Sequence, residues 1–146
     1  MKSQGEIESA VCDGISRFQQ EFIGRGPSDI HSHLVGSLLV VRLQGTLTSA
    51  ERQLVAPRCD SPSPLLNGQE HENGRSLLKQ VRSHMVATGR QRLQSVIEEA
   101  TGVGLVSVHH DISTVTGEEV FAFSLAAPPA YRPKTQPTRT TSRAYR

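Results

Sequence analysis

Tryptophan is absent from this 146-residue chain and aromatics make up only 4% of it, so a core must be filled by Leu, Val and Ile. Long apolar runs are missing too. The longest, Leu38 to Leu43, falls far short of the roughly 20 residues that a membrane-spanning helix needs. No apolar stretch follows Lys2, so no signal peptide is expected. Cysteine occurs only at Cys12 and Cys59, far apart and outside any paired motif, which predicts two free thiols in a reducing compartment. Acids are missing from the last nineteen residues, which hold Arg132, Lys134, Arg139, Arg143 and Arg146. Removing those five charges from the formal +2 leaves residues 1–127 at −3. A slightly acidic body is a poor start for a nucleic-acid binder. Any polyanion contact falls to the tail, weakly and with strong salt dependence.

What is present is amphipathic periodicity. Ile7, Val11, Ile15, Phe18 and Phe22 recur at helical spacing and predict a first helix over Glu6–Ile23, closed by Gly24-Arg25-Gly26-Pro27. Ile30–Gln44 is β-like, bending near Gly36 and Ser37. Leu39, Val41 and Leu43 fall on one face of it and Leu38, Val40, Arg42 and Gln44 on the other. Because its early part is apolar on both faces, that strand needs cover on both sides, by helices on one and by something else, such as a second subunit, on the other.

Thr48 and Glu51 form a capping box for a short helix that Pro57 closes. Residues 57–74 then read as a flexible loop. Arg75–Thr101 carries Leu78, Val81, Met85, Leu93, Val96, Ile97 and Ala100 at threes and fours without a proline, which predicts one helix of roughly 40 Å. Val103–Ile112 and Glu119–Ala126 predict a hairpin packed on it. The expectation is a single α+β domain over 1–127, with an antiparallel sheet against a long amphipathic helix and an N-terminal helix. A disordered basic tail rich in Pro, Thr and Arg follows over 128–146.

Few residues invite chemistry. His31 and His33, at i and i+2 of a strand, share a face; a neighbouring strand bearing His109, His110 and Asp111 could complete a metal site, although the spacing is generic. No serine lies in a nucleophile-elbow pattern and neither cysteine lies in a reactive motif. Gly102-Val103-Gly104 follows a helix instead of preceding one, so it reads as a cap and turn, not a phosphate loop. Arg25, between two glycines, is placed to cap a helix end or meet an anion. Lys79, Arg82, Arg90 and Arg92 read as a solvated helix face, with Arg82 and Arg90 the candidates for contact with an acidic partner.

Several strings together resemble one family: Gly24-Arg25-Gly26-Pro27 after Phe22, Leu38-Leu39-Val40-Val41, Leu47-Thr48-Ser49-Ala50-Glu51-Arg52, Ile97-Glu98-Glu99-Ala100-Thr101-Gly102 and Glu119-Val120-Phe121. Across about residues 6–126 the chain is similar to the MpsC-like family, a small bacterial domain formerly of unknown function. The resemblance implies a part in a sodium-translocating, membrane-potential-generating system, in which the protein accompanies membrane subunits tied to cation and inorganic-carbon uptake. The family has no established catalytic residues to carry over. The Pro-rich segment after Pro57 and the basic tail depart from its pattern.

The expected function is therefore that of a soluble, non-catalytic accessory or regulatory protein without a cofactor. It would be cytoplasmic, with the inner membrane face as a peripheral position, and would bind a protein partner such as a transporter subunit. A homodimer is also expected, because few aromatics and a strand apolar on both faces leave a monomer with surface to cover. The alternative from another class is a small metal- or ligand-dependent enzyme using His31, His33, His109 and His110.

Overall fold

A computed structural model of the chain describes residues 1–56 and 67–133, with side chains from Asn73 onward in the helix that begins at Asn67. Helix α1 spans Gln4–Phe22. It starts where the sequence allows a reciprocal cap: Ser3 Oγ accepts from the Glu6 N–H, and Glu6 Oε2 accepts from the Ser3 N–H, both at 3.1 Å. Strands β1 (Asp29–Val35) and β2 (Leu38–Gln44) form a hairpin whose turn uses Gly36 at φ 61°. Helix α2 (Ser49–Val55) carries the expected Thr48/Glu51 capping box. Helices α3 (Asn67–Thr88) and α4 (Arg90–Thr101) follow, then strands β3 (Leu105–Ile112) and β4 (Glu119–Leu125).

The sheet is antiparallel throughout, in the order β1-β2-β4-β3, so the two hairpins lie side by side with β2 against β4. Its inner face carries Leu34, Leu39, Val41, Leu43, Phe121, Phe123 and Leu125. Against it lie Ile7, Val11, Ile15 and Phe18 of α1 and Leu93, Ile97 and Ala100 of α4. Burying each of these larger side chains stabilises the fold by about 1.5–3 kcal/mol relative to leaving it in water. Helices cover one face of the sheet, as the α+β expectation requires.

The continuous helix expected over Arg75–Thr101 is two helices, parted at Gly89. The backbone leaves helical geometry there, at φ −88° and ψ 10°, and packing explains why the residue is glycine. A Cβ at Gly89 would lie 2.4 Å from Phe18 Cε2, so only glycine lets the chain pass this close to α1. Gly14 does the same between α1 and α4, where a Cβ would meet Val96 Cγ1 at 2.3 Å. The helix also begins earlier than expected, at Asn67, so residues 67–74 of the predicted loop are helical, while 57–66, with Cys59, lie outside the described residues. Cys12 is a free, half-buried thiol.

The tail is not free chain from its start. Pro129 is buried, and Arg132 donates its N–H to the Lys2 carbonyl at 2.9 Å and a guanidinium N–H to Glu6 at 3.4 Å. Residues 134–146 lie outside the described residues.

Candidate functional site

Helix α3 turns a charged residue inward. Its buried positions, Gly74, Leu78 and Arg82, climb in steps of four, so Arg82 occupies the row that apolar residues would normally fill. Its neighbour Val81, expected on the apolar stripe, is 39% exposed. Arg82, expected on the solvated face, is 1% exposed and cannot meet an outside partner.

The guanidinium joins four elements and a loop. Nε and Nη2 donate to the two oxygens of Glu51 on α2, at 2.6 and 2.7 Å. Nη1 donates to both oxygens of Glu119 at the start of β4, at 3.0 and 3.1 Å. It also reaches the side-chain carbonyl of Gln19 on α1 at 3.4 Å, and Nη2 bonds the Thr46 carbonyl at 2.7 Å. Gln19 completes the ring by donating its amide N–H to Glu119, at 3.1 and 3.2 Å. Glu119 is fully buried. Planar, forked donors suit such two-carboxylate binding, and a lysine could not supply them all.

The Thr48/Glu51 cap also orients this centre, since Glu51 Oε1 accepts from the Thr48 N–H at 2.9 Å while facing Arg82. Burial alone would push the Glu51 carboxyl up. The Arg82 and Thr48 hydrogen bonds, with the Arg82 charge, outweigh it and hold the group below its ordinary 4.5.

His110 on β3 borders the cluster, its side chain 6% exposed and its Nε2 3.6 Å from Glu119 Oε2. Its ring leans on Phe121, with centroids 4.6 Å apart. Among the described residues, His110 Nε2 and Thr46 Oγ1 are the buried side-chain atoms that lack a hydrogen-bond partner. Behind the imidazole lies a cavity of about 400 Å³, walled by Ser83, Val86 and Ala87 of α3, Arg90 of α4, and Val108 and His110 of β3. A second groove, about 380 Å³, runs along the α1–α4 seam, where Asp13, Arg17, Arg92 and Glu99 mix both signs of charge.

The histidine constellation does not assemble. His31 and His33 do share a face of β1, but β1 and β3 are opposite edges of the sheet, three strand spacings or roughly 14 Å apart. His31 instead sits 3.1 Å from Asp29, and His109 from Ser107 at 3.2 Å. His110 points to the other side of the sheet from His109, as alternation along a strand requires. Asp111 pairs with Lys79 at 3.0 Å, a hydrogen bond that holds its carboxyl below 3.8. Among the described residues no three His, Cys, Asp or Glu side chains gather as a metal would need. Arg25 caps no helix; its Nε donates to the Gly45 carbonyl at 3.0 Å. Arg90 opens onto the cavity with only a 3.5 Å contact to the Val106 carbonyl.

The outer sheet face is the other candidate surface. It carries Val35, Leu38, Val40, Val120 and Ala122, with His31, His33, Arg42 and His109 around them. Val35 is 67% and Leu38 41% exposed. No described helix lies over it. Sequence reading anticipated this face from β2 alone; it missed the inward Arg82, Glu51 and Glu119, for which the only signal was the 74–78–82 spacing.

A family model described as the Na+-translocating membrane potential-generating system (MpsC) matches residues 3–61 and 65–127. The uncharacterized protein YbcI of Bacillus subtilis (strain 168) is 32% identical over 124 residues, spanning 85% of this chain and 89% of that protein. No solved structure matches.

Proposed function

The chain belongs to the MpsC family, and from that premise we propose that it is a non-catalytic accessory subunit of a Na+-translocating, membrane-potential-generating system, docking through its outer sheet face onto a protein subunit of that system. The uncovered apolar row is the observation that carries the reading. Val35, Leu38, Val40, Val120 and Ala122 lie side by side in the register of three adjacent strands, a patch of the kind that marks an interaction site. No helix among the described residues is long and apolar enough to cross a membrane.

The interior favours the same reading. The buried ionisable groups Arg82, Glu51 and Glu119 satisfy each other, and that arrangement fixes helices onto a sheet end. The dimer expected from the sequence would use the same outer face, with a second copy as its occupant.

The test replaces exposed residues only. Val35→Glu and Leu38→Glu together should leave the melting temperature unchanged and abolish co-purification with the membrane subunits of the system from native membranes. A double variant that still co-purifies with them sinks the proposal. So does a wild-type chain that sediments as a dimer with this face buried and shows no membrane association.

A further inference from the structure

We propose that the cavity between α3, the start of α4 and β3 is a binding site for a small organic monocarboxylate, with Arg90 as the anchor of the carboxylate. This inference uses residues on the helical side of the sheet and stands apart from the docking surface. The cavity measures about 400 Å³, within the range of small-molecule sites and far larger than an inorganic anion fills. Val86, Ala87 and Val108 give it apolar walls, and its polar groups are few and distinct: the Ser83 hydroxyl, the Arg90 guanidinium and the His110 imidazole. That composition suits a ligand with one charged end and a short hydrocarbon body.

The sign of the charge follows from Arg90. Its guanidinium makes a single 3.5 Å contact to the Val106 carbonyl and no salt bridge with a described carboxylate, unlike Arg42, Lys79, Arg82, Arg92 and Arg132. It also stands in the first turn of α4, where Arg90 and Arg92 are basic, no acid is present and Gly89 offers no side-chain cap. Arg92 is paired with Glu21, so Arg90 is the cation left uncompensated at this positive end of a helix dipole, and an anion bound there relieves the conflict. The planar fork of an arginine matches a carboxylate in two parallel hydrogen bonds.

His110 supplies the independent observation. Its side chain is 94% buried, yet Nε2 has no hydrogen-bond partner and stops 3.6 Å short of Glu119 Oε2. Native structures rarely leave a buried polar atom so, and each such atom calls for a physical reason. His110 lines the cavity while its Nε2 faces Glu119, so a ligand there would touch the imidazole and link occupancy of the cavity to the buried Arg82 centre.

Benzoate and hexanoate are the probes, with benzyl alcohol, hexanol and inorganic phosphate as comparisons, each titrated into the full chain by calorimetry and followed by the imidazole resonances. Both carboxylates should bind with dissociation constants on the order of 1 mM or tighter, a value that ligands of this size can reach. The alcohols and phosphate should bind at least tenfold more weakly, and the His110 resonance should move while those of His31 and His33 stay. Arg90→Gln should weaken benzoate at least tenfold; Arg92→Gln, whose guanidinium pairs with Glu21 at 3.3 Å, should not. Ala87→Phe, at an exposed position of the wall, should block binding without unfolding the chain. Equal binding of benzoate and benzyl alcohol, unchanged affinity in Arg90→Gln, or a stationary His110 resonance would each overturn the assignment.

Discussion

The two faces of one sheet obey different rules, and β2 shows it within two residues. Leu39 points inward and is fully buried beneath the helices, whereas Leu38 points outward and is 41% exposed. Both are leucines of the same strand, so side-chain chemistry does not distinguish them. What distinguishes them is whether the chain supplies a partner layer. The inner face is covered by the chain's own helices, and at its end Arg82 pairs with Glu51 and Glu119. The outer face has an apolar row over which no described helix lies, and the docking proposal rests on that difference.

Breaking the inner face at its charged end should give the largest effect. Arg82→Met leaves two carboxylates buried without their cation, and a loss of about 3–5 kcal/mol in denaturant unfolding is expected. A variant of unchanged stability would mean that water already reaches the cluster. The leucine pair is the sharper comparison: Leu39→Ala should cost about 2–5 kcal/mol, and Leu38→Ala less than about 0.5 kcal/mol, measured side by side by the same unfolding curves. Similar losses at both positions would show that the outer face is packed in the isolated chain.

The next effect is on pH. The Glu51 carboxyl is held below its ordinary 4.5 in the folded chain, so its contribution is fully present above 4.5 and is lost as pH falls through the lower, folded value. Thermal melts should therefore be flat in this respect near neutrality and fall in the acid range, and Glu51→Gln should flatten that fall. An acid limb identical in the variant would assign the dependence to other groups. Last, Thr48→Ala removes the hydroxyl that accepts from the Glu51 N–H at 3.2 Å, and should cost about 1 kcal/mol by the same melts. No loss would show that the Thr48 hydroxyl adds nothing to the cap.

Much of the frame was legible because it rests on local chemistry. The Thr48/Glu51 cap, the left-handed Gly102 at φ 74° that ends α4, and the β3–β4 hairpin with Gly117 at φ 77° are each set by a few adjacent residues, whereas the bend read near Gly36 is a full hairpin turn. The inward arginine was not. Val81 and Arg82 lie about 100° apart around a helix, and a periodic count that prefers valine selects the wrong one when the buried row contains a charge. The need for glycine at 89 was hidden because the ring that excludes a Cβ there, Phe18, belongs to another helix seventy-one positions earlier in the sequence. Strand order was equally out of reach. Spacing put His31 and His33 on one face, but only the pairing of β2 with β4 shows that His109 and His110 belong to the far edge.

The outer face carries its own reporters. His31, His33 and His109 are exposed around the apolar row, and His84 is exposed on α3, away from it. Carbethoxylation of these four imidazoles, quantified by mass spectrometry with and without native membranes holding the translocating subunits, tests the docking claim most directly. The account predicts that His31, His33 and His109 become protected on binding while His84 reacts as before; equal reactivity of all four in bound chain would contradict it.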